Sequence, residues 1–441
     1  MRPPTTTPPA AFENGLFSPI LIFTLFISLR LVLLIALPTE AWFQYGDFQH
    51  YYNIASWSVS GHCPASPMAC WPLVDYWYEF PPVFPYLSIA ILKLAGGGGL
   101  PPFHVYAYSL AFLMLAVDVA NLWLFWRIAS RLFAPATTQQ LLWVYALLPA
   151  SIILSTWTFD GLTTFWMLSA LWALLEKRDN IGIAALGLGV MTKLVPLLLL
   201  PVVWRIRSLG RSVAVTIGVA AVSCILLSPF LWRAPAVAIA SLAAQVSKSS
   251  YATVWAILDD NLQTPDGQPI TGNFGPPLDH FDLARATTPL HNPSRIPAWL
   301  PILVFGGLYL WVWSGHWKSE VLDDQQSVGL FGFTWAIFLL WSKGWSPQWQ
   351  QMIVPLILLT FPNLRGVLLT LLLAFTSFFE WPVSLSRGAA WGYWITIPVR
   401  TLLFAVWAGE LAMKLRQGQR HHGQQFPPNP TSSGDTLRDR P

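Results

Sequence analysis

Charge is scarce in this chain. Asp, Glu, Lys and Arg make up 10% of its 441 residues, against about 25% in a typical soluble domain. That is too little to clothe a large water-exposed surface. Cysteine is scarcer still: Cys63, Cys70 and Cys224 are the three, which excludes a disulfide-rich scaffold or a cysteine cluster around a structural metal. The sequence has no His-Glu-x-x-His, Cys-x-x-Cys or Asp-x-Asp, so a built-in metal centre is poorly supported, and no phosphate-cradling nucleotide loop stands out. The net charge of +4 is small, and no nucleic-acid partner is expected.

Apolar residues fill the space. They reach 54% of the chain and aromatics 15%, with 25 tryptophans, a surplus that suits ring anchoring at bilayer interfaces. Apolar runs approaching the length of a spanning helix, about twenty residues, recur at 17–37, 103–126, 139–157, 161–175, 212–231, 298–314, 328–342, 351–362, 366–382 and 391–412. A less regular apolar piece at 83–95 is closed by GGGGLPP and reads as interfacial or re-entrant. The fold class is therefore all-α: a polytopic membrane protein with about eleven or twelve crossings. Residues 1–16, polar and proline-rich, read as a cytoplasmic N-terminal segment, 17–413 as the multi-pass domain, and 414–441 as a basic tail. The tail is expected to be disordered and able to touch anionic lipid. With no cleavable leader evident, the first run reads as a retained helix.

Basic residues orient the crossings. Arg127 and Arg131, then Lys177 and Arg178, then Arg205, Arg207 and Arg211 mark cytoplasmic ends under the positive-inside rule. Between the last two clusters, 181–203 is interrupted at Thr192-Lys193 and Pro196, so it reads as a broken pair of short helices that enters and returns. The polar segments then gather on the outer face: loop 38–102 with Asp47, the WTFDG turn at 157–161, loop 232–297, and WSKGWSPQWQQ at 341–351. Chemistry is expected there, on the extracytoplasmic side of the cell membrane.

Asp47 begins a stretch that reads as an amphipathic helix lying in the interface plane. Phe48, Tyr51, Tyr52, Ala55 and Val59 share one stripe, and Gln49, His50, Asn53, Ser56 and Ser60 the other side. Asp47 has two readings: a carboxylate capping that helix, or a general base where a lipid-borne and a water-borne substrate meet. Asp160, at the head of the 161–175 helix, has the same cap alternative. Asp118 and Lys193 lie inside apolar segments, where a lone charge costs at least ~2.5–3.5 kcal/mol. They read as an ion pair with each other or with neighbouring polar groups, or as a phosphate or proton site. Cys63 and Cys70 either close a short disulfide ring or remain two thiols.

Five segments, taken in order, carry a family likeness. The first is Asp47 just after the first span, with the aromatic outer loop and DYWYEFPPVFPYLSIAIL. The others are FLMLAVDVANLWLFWRIASRLF, LLPASIILSTWTFDGLTTFWMLSALWALLEKRD, IAALGLGVMTKLVPLLLLPVVW and WSKGWSPQWQQMIVPLILL. Together, over about residues 40–360, they resemble the GT-C superfamily of membrane glycosyltransferases, in particular the mannosyltransferases that use polyprenyl-phosphate mannose. The chain departs from that pattern where Trp157 and Thr158 stand for Gly-Gln and where Phe80 stands for tyrosine.

The resemblance implies transfer of a sugar, mannose, from a polyprenyl-phosphate-linked donor to a lipid or glycan acceptor by a single inverting displacement, amid membrane lipids. Asp47 is implied as the base. His50, Tyr78, Glu79, Asp160, Lys193, Lys343 and Gln348 are the donor-binding candidates, with Arg285, His280 and His291 on the same face. No cofactor is required; some members use a divalent ion, for which Asp47 and Asp160 would be the ligands. Two other readings stand beside this one: a secondary transporter or flippase for a lipid-linked sugar, and a non-catalytic subunit of a glycan-assembly complex. The topology has a direct test. A cysteine at position 47 should react with a membrane-impermeant thiol reagent from outside and stay silent from the cytoplasm; labelling from the cytoplasm would invert the orientation.

Overall fold

The computed structural model describes residues 18–36, 47–148, 152, 154–155, 158–270, 277–315, 322–385 and 387–422. Residues 1–17 and 423–441, and with them the N-terminal segment and most of the expected tail, lie outside that set. Among the described residues there are helices and isolated β-bridges but no strand. Helix α1 spans Pro19–Ala36, α2 Phe48–Ser56, α3 Val83–Ala95, α4 Phe103–Leu132 and α5 Pro135–Leu147. Next come α6 (Asp160–Leu175), α7 (Asp179–Val190), α8 (Leu200–Ile206), α9 (Leu209–Arg233), α10 (Pro235–Ala243) and α11 (Val254–Asp259). The C-terminal part holds α12 (Trp299–Gly315), α13 (Asp324–Trp341), α14 (Gln350–Thr360), α15 (Leu364–Phe378) and α16 (Tyr393–His422).

The chain is an all-α polytopic membrane protein. Five runs are long and apolar enough to cross a bilayer: Pro19–Ala36, Phe103–Leu132, Leu209–Arg233, Leu364–Leu385 and Ala390–Arg416. Shorter apolar helices, α3, α6, α7 and α12 among them, accompany these; α6 and α12 stand where crossings are expected from the sequence, α3 where an interfacial or re-entrant piece is, and α7 where a broken pair of short helices is. Large apolar side chains left exposed on α9, α12 and α15, such as Ile217, Leu303 and Phe375, provide the surface that hydrocarbon can cover.

Helix ends follow local chemistry. The run 139–157 is not one helix: α5 stops at Leu147, and Leu148 is extended (φ −65°, ψ 112°). Pro149 follows it, and a residue before proline is pushed out of the α region. Phe361, before Pro362, ends α14 in the same way (φ −130°, ψ 81°). At the other extreme, α13 starts before its apolar run because Asp323 and Gln326 close a capping box, each satisfying a free backbone N–H of the first turn. The segment 181–203 is broken where Thr192-Lys193 interrupts it, α7 giving way to a 3-10 turn, Val195–Leu199, and then α8. The last helix continues to His422, past residue 414.

Helix α14 is the central post. Every residue from Gln350 to Leu359 is buried, and the helix packs against α6, α13 and α15. The expected amphipathic helix is present as α2, with Phe48, Tyr51, Ile54 and Ala55 buried against α3 and α4. Cys63 and Cys70 are joined by a disulfide.

Asp118 and Lys193 do not pair with each other. Asp118 accepts from Arg30 of α1 at 2.6 Å, both side chains buried, and Lys193 reaches Asp160 at 2.6 Å. Each buried charge takes the nearest opposite charge on its own neighbouring helix; Arg30, hidden inside the first apolar run, is Asp118's. Removing one member of such a pair strands the other and costs about 3–5 kcal/mol, whereas replacing both by apolar residues can be neutral. Asp118→Asn should therefore lower the folded yield sharply, and Arg30→Met with Asp118→Leu should restore it. Lys193→Met added to Asp118→Asn should not. Recovery of yield in that last variant, measured by size-exclusion fluorescence, would contradict the observed pairing.

Candidate functional site

Asp47 occupies the position before α2, but its side chain makes no capping hydrogen bond. It accepts from the Tyr51 hydroxyl at 3.1 Å and, at the outer limit of hydrogen bonding, from Gln348 Nε2 at 3.5 Å. Tyr51 is one helical turn along α2, and Gln348 lies in the 3-10 turn Pro347–Trp349 that leads into α14. The central post thus carries the WSKGWSPQWQQ motif to the head of α2. The Asp47 carboxyl is pushed up from 3.8 to about 6. Burial is the main cause and the nearby Asp160 charge the next, with the Tyr51 hydrogen bond pulling the other way.

Asp160 is not a cap either. It is the first residue of α6, after Phe159 at the cap position, and it holds Lys193 at 2.6 Å. The Lys193 ammonium lies 5.9, 5.6 and 5.2 Å from the ring centres of Phe80, Phe159 and Trp349, so aromatic faces supply what water would. Four of the five sequence segments meet at this one ammonium, counting the one that carries Lys193 itself. Phe80, where a tyrosine was expected, serves here through its ring.

His50, Tyr78 and Glu79 form the adjoining wall. The His50 ring lies 6.2 Å from those of Tyr78 and His280. Glu79 is tied to Lys248 at 2.7 Å. Burial holds His50 and His280 below the usual histidine range, so near neutrality they offer N–H donors rather than full charges. His280 also clamps two loops: its Nδ1 and carbonyl meet the Trp77 carbonyl and amide at 2.9 and 3.0 Å. Lys343 enters differently. Its backbone carbonyl accepts from Tyr251 N at 3.0 Å and Thr253 Oγ1 at 2.9 Å.

A cavity of about 150 Å³ opens between these walls, lined by Asp47, Thr158, Tyr251, Trp345, Gln348 and Glu380, among others. Of the candidates named from sequence, the cavity brings together Asp47 and Gln348; Lys343 does not line it. Glu380 and its partner Arg400, Tyr51 and Lys248 were not anticipated. The signal for the first two was available: both are ionisable residues within apolar runs, 366–382 and 391–412, the same anomaly that marks Asp118 and Lys193.

A divalent ion on Asp47 and Asp160 fits poorly. One Asp160 oxygen already holds the Lys193 ammonium, and among the described residues no group of three or more His, Cys, Asp or Glu is placed to hold a metal.

No protein-family model matches the chain, and no curated protein matches it in sequence. Among solved structures it is similar to the Archaeoglobus fulgidus oligosaccharyltransferase in its apo form, at 12% identity and a TM-score of 0.44, covering 98% of this chain and 62% of that one. A form tethered to an acceptor peptide with the NVT sequon gives 13% and 0.43, over 91% and 55%. The archaeal enzyme AglB in complex with an inhibitory peptide and a dolichol-phosphate gives 13% and 0.42, again over 91% and 55%. The chain thus spans less than two thirds of those proteins' length. Likeness at this level decides nothing about its chemistry, which rests on its own residues.

A raised carboxyl value means that the fold favours the protonated form of Asp47. That stabilisation is complete below the unfolded value, 3.8, and is lost as pH climbs through about 6. Asp47→Asn, a neutral isostere, should therefore melt above the wild type at about pH 7.5 and level with it at about pH 3. A melting difference independent of pH would show that the Asp47 carboxyl is not held neutral by its surroundings.

Proposed function

We propose that the protein is an integral-membrane glycosyltransferase. It moves a sugar, mannose on the motif resemblance, from a polyprenyl-phosphate donor to a hydroxyl of a lipid or glycan acceptor on the outer face. The observation that carries this reading is Asp47 itself. It is a carboxylate with no cap bond to make, on the wall of a cavity, with a pKa of about 6, close enough to neutrality to work as a general base.

The displacement needs one base and no nucleotide. The acceptor oxygen attacks the anomeric carbon, its proton passes to Asp47, the bond from that carbon to the phosphate oxygen breaks, and polyprenyl phosphate leaves with the electron pair. Gln348 and Tyr51 hold the carboxylate in place. The departing phosphate requires positive charge or N–H donors. Lys193 and Lys248, each already on a carboxylate, and the neutral His50 and His280 form the group nearest the first outer loop. Lys343 remains the candidate from the late motif.

Membranes carrying the chain should transfer label from polyprenyl-phosphate [14C]mannose, and Asp47→Asn should lower turnover by about 10²-fold or more, the range of a lost general base. The rate should fall on the acid side with a midpoint near 6. Donor binding should survive in the variant. Near-normal transfer by Asp47→Asn would remove the base assignment, and indifference of every activity to position 47 would favour a transporter or a non-catalytic subunit.

A further inference from the structure

Glu380 stands where the apolar run 366–382 leaves regular helix: α15 passes into a π-helical turn, Phe379–Leu385, a feature that often re-aims a side chain at a functional site. The sequence EWPV explains the turn in part, since Pro382 has no N–H to give the helix. Glu380 is fully buried, and it is paired with Arg400 of α16, itself 2% exposed. Its second oxygen accepts from Trp345 Nε1 at 2.8 Å. The Arg400 guanidinium lies 4.6 Å from the centre of the Trp345 ring and also donates to the Ala252 carbonyl.

One ion pair thereby fixes two segments of the cavity wall. Trp345 lies just before the turn, Pro347–Trp349, that carries Gln348 onto Asp47. Ala252 belongs to a strap, Tyr251–Thr253, pinned on its other side to the Lys343 carbonyl. Ala252 has a left-handed φ of +47°, a conformation an alanine keeps only when its surroundings hold it there. Gly344 allows the close approach: a Cβ there would lie 2.4 Å from the Tyr251 ring. A buried pair is a weak source of net stability, because its desolvation offsets its attraction. What this pair supplies is a fixed shape opposite Asp47.

We propose that Glu380 and Arg400 are positioning residues of the transfer centre, holding Trp345 and the Tyr251–Ala252 strap as the wall against which the acceptor hydroxyl is presented to Asp47. This rests on the glycosyltransferase reading above. The test compares the full-length wild type, Glu380→Gln and Arg400→Lys, each purified folded and assayed at the same interval below its own melting temperature. Both variants should raise the acceptor KM, or lower kcat, by about tenfold or more, with the donor KM unchanged and the acid limb near 6 retained. Kinetics per folded molecule equal to the wild type would overturn the positioning role. A second readout needs no turnover. In a Cys224→Ser background, Ser346→Cys should be modified by a small thiol reagent about tenfold faster when Glu380 is replaced by Gln, as expected of a loosened turn. Equal rates would overturn the proposal. If the wild type transfers no sugar, the glycosyltransferase reading falls, and the labelling rates alone decide whether the pair holds the wall.

Discussion

A full charge placed among packed helices in a bilayer is tolerable only with an opposite charge at hydrogen-bonding distance, and this constraint sets how the helices meet. Arg30 and Asp118 lock α1 to α4. Lys193 and Asp160 lock the break after α7 to the head of α6. Glu380 and Arg400 lock the π turn to α16. Each pair joins elements distant in sequence, so each also fixes the register of what lies above it. Asp47 is treated differently. Among the described residues it has a hydroxyl and an amide for partners and forms no ion pair; burial, and after it the nearby Asp160 charge, holds its proton more tightly than that of an ordinary aspartate.

The loops beside the cavity are held by small apolar clusters of their own, one with Trp57, Leu73, Tyr76 and Tyr78 and one with Trp77, Ala240, Ala244 and Ala286, and by fixed hydrogen bonds. The Trp77 indole donates to the carbonyls of Asp279 and Asp282, the Tyr78 amide to Ser241, and the Trp255 indole to Leu340. A polar group, Ser250, Asp259, Asn261 and Asn292, closes on itself through short hydrogen bonds. Fixed polar contacts of this kind satisfy the loop backbone between those clusters.

For the proposed transfer, the economy of charge has a chemical consequence. Lys193 and Lys248 are already neutralised by Asp160 and Glu79, and the two neighbouring histidines are neutral. A lipid phosphate arriving here would compete with those carboxylates for the ammonium groups. Binding of the donor and the local charge of the site are then coupled, and the field that Asp47 feels changes as the phosphate binds and leaves.

Much was legible in the sequence because it follows from short-range rules. Apolar run length gave the membrane class, the Thr192-Lys193 interruption gave the broken helix, and the stripe from Phe48 to Ala55 gave α2. Intramembrane charge marked Asp118 and Lys193 as residues that must have partners. Which partners they take was decided only by tertiary structure, since Arg30 is 88 residues from Asp118 and Lys193 is 33 from Asp160, and no local pattern encodes such distances. The same holds at the site. Asp47 stands out in the sequence as a carboxylate at a helix head, and a cap and a base look alike there. The folded chain removes only the cap: the side chain makes no cap bond and lies instead against Tyr51, Gln348 and a cavity that Glu380, distant in the sequence, also lines.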